Sequence, residues 1–332
     1  LGASQFGLFS FSLTIFIAYS MIANLGLENL IVRQVARTSQ KINIFIGDAI
    51  TIRMLAIPIG VLLSFLLWIN YPSAGGIIIF LFGYGLMNAN ILFVAAVFRG
   101  LEKMEIQTLL VSAQALLTTI LVVVVLYLDK GASWVAASYF FASLVINIVG
   151  WSLLLRYSVA PKFRWQAASW KHLLLQNMPF TIALLNLLIF DRHAVVFIAY
   201  FADEAAVGWF NAVYFIILAI VNVPLIIINT FYPQLSRASI NREPRQLSQF
   251  VAVILKIVNM ISLPIAIGVY INADVIVNLF FGIEFAPAAD ILRRLAVSIP
   301  FLFLVIALNS MLQTMDAQKL SARAFSLGLA LT

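Results

Sequence analysis

Apolar runs of roughly 20 residues or more, parted by short polar turns, recur along the whole chain, and each is long enough to cross a hydrocarbon core of about 30 Å as a helix. Nine complete spans are predicted, near residues 8–30, 44–69, 75–98, 106–128, 133–155, 177–201, 207–232, 249–271 and 291–312. A tenth starts at Ser321, shortly before the chain stops at Thr332, and the first residue is Leu1, with neither a Met nor a signal-peptide charge pattern. Both ends are expected to be cut. Lipid offers the backbone no hydrogen-bond partners, so spans of this length are read as helices. The expected fold class is an all-α, polytopic integral membrane protein.

Composition agrees: 63% of residues are hydrophobic and 10% charged, with a mean hydropathy of +1.06, whereas a soluble domain carries about 25% charged residues. Cysteine is absent, which excludes disulfides and thiolate metal sites and says nothing about compartment. Lys and Arg alternate sharply between loops. One set of alternate loops holds Arg33, Arg37 and Lys41, then Arg99 and Lys103, then the cluster from Arg156 to Lys171, then Arg237 to Arg245, then Lys319 and Arg323; the other holds only Lys130. Basic loops stay in the cytoplasm, so Leu1 is expected outside and the first span runs inward. Orientation and contact with anionic membrane lipids account for the net charge of +7, which therefore argues for no nucleic-acid partner.

No loop is long enough to fold as a separate catalytic domain. There is no G-x-x-x-x-G-K-[ST] loop for ATP, His172 and His193 have no H-E-x-x-H context, and no Asp-x-Asp pair suggests metal-dependent glycosyl transfer. The chain is read as a non-enzyme, with no catalytic residue, no metal and no cofactor.

An internal repeat organises the spans. Phe6-Gly7-Leu8-Phe9 and Val207-Gly208-Trp209-Phe210 each open a span that ends in a basic turn; Pro58-Ile59-Gly60-Val61 is matched by Pro264-Ile265-Ala266-Ile267; and Arg99-Gly100-Leu101-Glu102 stands beside Thr314-Met315-Asp316. Three matches in one order predict two pseudo-symmetric helical bundles, an N-terminal lobe at 1–160 and a C-terminal lobe at 161–332. Parallel repeats with substrate at their interface are a recurrent transporter architecture.

Several stretches resemble a known family. Phe6-Gly7-Leu8-Phe9, Asn24-Leu25-Gly26-Leu27-Glu28 and Arg33-Gln34-Val35-Ala36-Arg37 are similar to the start of bacterial polysaccharide flippases of the multidrug/oligosaccharidyl-lipid/polysaccharide exporter superfamily, the O-antigen type included. Met178-Pro179-Phe180, Phe190-Asp191-Arg192, Val207-Gly208-Trp209-Phe210 and Phe231-Tyr232-Pro233 look like that family's second-half pattern. The resemblance implies a transporter of 12–14 helices, of which this chain starts after the first helix and ends inside the eleventh. It further implies two lobes facing a central cavity, rocker-switch alternating access, and outward carriage of undecaprenyl-diphosphate-linked sugars in the bacterial inner membrane.

Ionisable residues inside the spans point the same way, because a charge deep in a bilayer usually faces a bundle interior or a watery cavity. Asp191 and Arg192 lie near the middle of their span; Arg53 and Lys256 sit shallower, roughly 12 to 15 Å from the cytoplasmic end. Aligning Pro58 with Pro264 sets Lys256 opposite Ile50, one helical turn before Arg53. Two lobes each offering a cation at similar depth would suit a diphosphate, Arg by its fork and Lys as a point charge. Asp191, Arg192 and His193 together sweep about 200° of helix and cannot all face one cavity. Arg53, Arg192 and Lys256 are thus the candidate substrate-binding residues, Asp191 and Asp48 the candidate ion-coupling ones, and His193 a packing residue. Pro58, Pro224, Pro264, Gly83 and Gly85 are expected to be packing or kink positions. Trp68, Tyr71, Trp134 and Trp209 are expected to anchor at headgroup level.

The expected function is a flippase that carries a polyprenyl-diphosphate-linked oligosaccharide across the inner membrane for polysaccharide, O-antigen or lipopolysaccharide synthesis, working beside other polysaccharide-assembly proteins. A cation-coupled multidrug exporter of the same superfamily is the first alternative, although cationic drugs favour an acidic cavity. A membrane-embedded polymerase or ligase is the second, although it would be expected to carry a sizeable outer loop with Arg or His groups.

Overall fold

A computed structural model of the chain describes residues 2–24, 27–37, 42–157, 159–161, 194–195, 197–240 and 244–314. They are helical almost throughout, with no strand among them, and fall into two compact units, one ending at Glu204 and the other beginning at Ala205. Seven helical stretches among the described residues are long and apolar enough to cross a membrane, eight when a bent pair is taken as one span. The predicted span at 177–201 lies mostly outside the described residues, and the one starting at Ser321 lies wholly outside them.

The first unit is built from α1 (Ala3–Asn24), α2 (Leu27–Arg37), α3 (Ile42–Met54), α4 (Ile57–Asn70), α5 (Gly75–Gly100), α6 (Met104–Tyr127) and α7 (Ala132–Arg156). α5 is its axis, packed by α1, α2, α4, α6 and α7. The first span ends at Asn24 rather than at residue 30, because the chain turns there into α2, an amphipathic helix. Leu27, Ile31 and Val35 follow at four-residue spacing and are buried on one face. At Gly100 an added Cβ would come within 2.7 Å of the Val35 Cβ and 3.1 Å of the Val32 carbonyl oxygen, so α2 lies flush against the C-terminal end of α5. Two apolar cores result. One gathers Leu27, Ile31, Ile46, Ile52, Phe93 and Phe98; the other gathers Phe9, Phe16, Tyr19, Ala56, Leu67 and Leu81.

The span predicted at 44–69 is two helices, α3 and α4, joined by a turn at Leu55–Ala56. Pro58 causes the break. It has no N–H for the Met54 carbonyl and its ring crowds that oxygen, so α3 stops at Met54 while Pro58 is tolerated in the first turn of α4.

The second unit holds α8 (Glu204–Ile240), α9 (Pro244–Ile271), α10 (Ala273–Phe281), α11 (Ala288–Ala296) and α12 (Ile299–Thr314). Phe6 and Val207 are each the fourth residue of their helices, as the first repeat landmark requires. α8 runs through Pro224 and α9 through Pro264. The stretch between residues 272 and 290, read from the sequence as a loop, contains α10. The last described span is bent by 53° between α11 and α12. Pro300 explains the bend as Pro58 does the earlier break, since α11 stops at Ala296, four residues before it. Arg293 on α11 pairs with Asp290 (2.6 Å) and with Asp274 on α10, clasping the two short helices together.

Candidate functional site

Arg53 closes α3, where a cation is favoured by the carbonyl end of the helix. Only 8% of it is exposed, and its guanidinium carbon stands 4.6 Å from the centre of the Phe93 ring on α5, a cation–π contact in an apolar setting. Phe93 is itself backed by Trp151 of α7, ring centres 6.4 Å apart. The Phe93 and Trp151 rings thus form an apolar wall beside the guanidinium.

Its polar neighbours come from α1, α2 and α5. Arg53 is within electrostatic reach of Glu28 and Tyr19, and Glu28 is within reach of both Arg99 and Arg53. Asn24, at the end of α1, donates from Nδ2 to Glu28 Oε1 at 3.1 Å. Glu28 sits on α2, beyond the end of the first span; burial pushes its carboxyl above the ordinary carboxylate value, while Arg99, Arg53 and the Asn24 N–H pull it back. Tyr19 is held by close packing. Its ring lies 5.9 Å from that of Phe82, and a Cβ at Gly60 would come within 2.7 Å of its Cζ. The cluster therefore sits at the seam between the two apolar cores of the first unit. Four of its buried polar atoms have no hydrogen-bond partner among the described residues: Tyr19 Oη, Asn24 Oδ1, Arg53 Nε and Arg99 Nε.

A second polar feature is uncharged and was missed by a search for ionisable groups. Asn88 of α5 donates to Ser20 Oγ of α1 (3.2 Å), and Gln114 of α6 donates to Asn88 Oδ1 (3.3 Å) and Ser143 Oγ of α7 (3.0 Å). Asn147, one turn beyond Ser143, donates to the Met87 carbonyl at 2.9 Å. Side-chain amides buried among apolar helices need such partners. The signal in the sequence is their spacing, Tyr84 with Asn88 and Tyr139 with Ser143 and Asn147, each four residues apart on one helix face.

The other sequence-predicted residues are distributed as follows. Asp48 is buried, 5% exposed; five residues before Arg53, it is turned about 140° from it around α3. Lys256 is exposed on α9 of the second unit. Asp191, Arg192 and His193 lie outside the described residues. Glu28 and Arg99, which the sequence reading assigned to a family motif and to loop charge, are the groups that accompany Arg53. Trp68 and Trp134 are exposed, whereas the Trp209 indole donates to the Glu284 carbonyl at 3.2 Å. Among the described residues no three His, Asp or Glu side chains stand where they could hold a metal.

The described helices, apolar and long enough to cross a bilayer, define a multi-pass membrane protein. The solved structures agree on the fold. The chain superposes on the inward-facing conformation of a multidrug resistance MATE family transporter of the MOP superfamily with a TM-score of 0.73 at 17% identity, covering 98% of this chain and 80% of that one. It matches a MATE crystal structure in complex with MaD5 with a TM-score of 0.55 at 17% identity, covering 97% and 77%. No curated protein matches the chain. The family model for polysaccharide biosynthesis proteins matches residues 1–239. The chain belongs to that family and has a MATE-like fold.

Proposed function

We propose that the chain is the body of a flippase that moves a polyprenyl-diphosphate-linked oligosaccharide from the cytoplasmic to the outer leaflet of a bacterial inner membrane, for O-antigen or related polysaccharide synthesis. Membership of a polysaccharide biosynthesis family, on an exporter fold, supports a sugar-bearing substrate. The single observation that carries the reading is Arg53, a cation enclosed in the first unit whose Nε has no hydrogen-bond partner among the described residues, which suits a phosphate. Arg53, Arg192 and Lys256 bind the diphosphate, and the polyprenyl chain stays in lipid. Lobes at 1–160 and 161–332 rock about that substrate, and Asp48 and Asp191 couple transport to an ion gradient. Leu1 faces outward, so reporter fusions after Arg37, Lys103, Lys162, Arg242 and Lys319 read cytoplasmic, and those at Tyr71, Lys130, Asp203 and Asn272 read external.

The test is export of lipid-linked sugar by cells whose only copy is a variant at unchanged protein level. Arg192→Ala abolishes export and Arg192→Lys retains part, since Lys keeps the charge but loses the fork. Wild-type export from the alanine variant sinks the assignment of Arg192. The likeness to a multidrug resistance transporter favours a second reading, drug export on the same fold. Drug-dependent growth that follows the gene, with polysaccharide unchanged, would select it.

A further inference from the structure

We infer that α10 is an interfacial helix whose partner is lipid. With α11 it forms a hairpin seated in the bilayer surface, its open apolar side at the acyl-chain boundary and its charged clasp at headgroup level. The hairpin belongs wholly to the second unit, and its seat in the membrane is independent of the substrate carried.

Length is the first argument. At 1.5 Å per residue the nine residues of α10 reach about 14 Å, less than half of a hydrocarbon core of about 30 Å, so α10 cannot cross the bilayer. It follows α9, a helix of membrane length. The chain turns between them at Asn272, whose backbone N–H and side-chain amide both donate to the Gly268 carbonyl, at 3.1 and 2.9 Å. The Ile276 N–H then starts the new helix on the Asn272 carbonyl at 2.9 Å. Beyond that turn α10 packs chiefly on α11.

The second argument is the division of the α10 surface into three arcs. Ala273 and Val277 are buried and make one. Asp274 and Asn278, about 40° apart, make an exposed polar one. Val275, Leu279 and Phe280 lie within an open apolar arc of about 140°. These three side chains are 64%, 76% and 70% exposed, and Ile283, in the turn that follows, is 82% exposed. Such a patch is costly in water. It also continues a series on the preceding helix, where Leu263, Ile267 and Ile271 are exposed at four-residue spacing, so the surface that α9 offers to lipid passes into that of α10.

Depth is the third. Asp274 and Asp290, whose side chains are 66% and 75% exposed, both bind Arg293. Open carboxylates are expensive in hydrocarbon, which sets the clasp among headgroups and water. The turn between α10 and α11 is tied to α8 by Trp209, whose indole donates to the Glu284 carbonyl at 3.2 Å, and Trp rings concentrate at that same level. A helix immersed in lipid would not hold Asp274 and Asn278 on its open side, and a hydrated one would not hold Val275, Leu279 and Phe280 there. Lipid along one side and water along the other satisfies both arcs.

The chain has no cysteine, so one introduced cysteine carries the only spin label. The experiment uses the full chain in vesicles of phosphatidylethanolamine and phosphatidylglycerol, with labels in turn at Leu279→Cys, Ile283→Cys, Asn278→Cys and Glu284→Cys, all exposed positions that leave the packing intact. Collision rates with molecular oxygen, which concentrates among acyl chains, and with a water-soluble nickel chelate are read by electron paramagnetic resonance. Labels at 279 and 283 are expected about 5–10 Å below the headgroups, several-fold more accessible to oxygen than to nickel. Labels at 278 and 284 are expected to show the reverse. Nickel reaching 279 and 283 as freely as 278 would make the hairpin a hydrated loop and overturn the proposal. Protection of 279 and 283 from both reagents would overturn it in favour of a protein partner, a second copy of the chain included. Oxygen without nickel at all four positions would bury the whole hairpin in hydrocarbon and overturn it as well.

Discussion

The span of α3 and α4 and the single helix α9 carry the same two landmarks, a cation followed by a proline, and fold them in opposite ways. Arg53 precedes Pro58 by five residues, and the helix breaks between them; Lys256 precedes Pro264 by eight, and the helix runs straight on. The difference is local to the backbone before Pro58. On α9, Ile254, Val258, Ser262, Ala266 and Val269 form a buried stripe that continues on both sides of the proline and faces α11 and α12. Packing on either side holds the axis although Pro264 leaves the Met260 carbonyl without its usual donor. On α3, burial is dense from Ile46 to Arg53 and then lapses at Met54 and Leu55, both about half exposed, before resuming at Ala56 and Gly60. A buried stripe also crosses this break, through Ile52, Ala56, Gly60 and Leu67, so the break is local: the backbone tightens to three-residue hydrogen bonds, Leu55 N–H to the Ile52 carbonyl and Ala56 N–H to the Arg53 carbonyl. The stripe on α9 also explains the two cations. Lys256 lies two residues from both Ile254 and Val258, about 200° from each, and so points away from the buried face; Arg53 lies among buried neighbours and is roofed by Phe93.

This contrast can be broken most forcefully at the cations. Arg53→Ala should abolish export and lower stability by about 1–2 kcal/mol, for the lost packing of its stem and its contact with the Phe93 ring. Lys256→Ala should fold normally and keep most of its transport. Equal losses at the two positions in export and in detergent thermal unfolding would erase the distinction. The glycines come next. At Gly60 a Cβ would stand 2.4 Å from the Phe82 ring and 2.7 Å from Tyr19, so Gly60→Ala should cost about 1–3 kcal/mol by overpacking. At Gly268 on α9 nothing lies within 4 Å, and Gly268→Ala should instead stabilise by up to about 1 kcal/mol through helix propensity. Opposite shifts in the unfolding midpoint are the expected signature.

The prolines sharpen the comparison at a smaller scale. Pro264→Ala should restore one helical hydrogen bond and stabilise by about 1 kcal/mol, while Pro58→Ala, in a first turn that needs no N–H, should change stability little. A large gain at Pro58 would show that the break is held by strain imposed by the proline ring. Smallest of all is the exposed clasp of α10 and α11. Arg293→Ala should lower the unfolding midpoint slightly at low salt and not at all at high salt, unlike Arg53, whose enclosed charge is little screened.

Much of the fold is written in the chain itself. Uninterrupted apolar runs of membrane length permit only helices, so the spans at 75–98, 106–128 and 133–155 agree with α5, α6 and α7 to within a few residues, and the opening motifs at Phe6 and Val207 begin their helices in the same register. The position of Arg53 in an apolar run was equally legible, but the same rule placed Lys256 inward and it is exposed, so depth alone did not separate the two cations. Pro300 could have been read as a break by the rule applied to Pro58, and α2 as a separate helix by its four-residue stripe.

Tertiary structure alone decided what Arg53 meets. Phe93, Arg99 and Glu28 are distant in sequence, and Glu28 and Arg99 read locally as ordinary charges near the ends of spans. They become a site because α5 packs against α1, α2 and α4, and because Gly100 and Gly60 let helices approach close enough to bring Glu28 and Tyr19 within reach of the guanidinium. Local sequence fixes the period and length of each helix through backbone geometry and the cost of polar groups in lipid; which side chains complete one another's charge and hydrogen bonds depends on interhelical packing, which sums contacts from residues far apart in the chain.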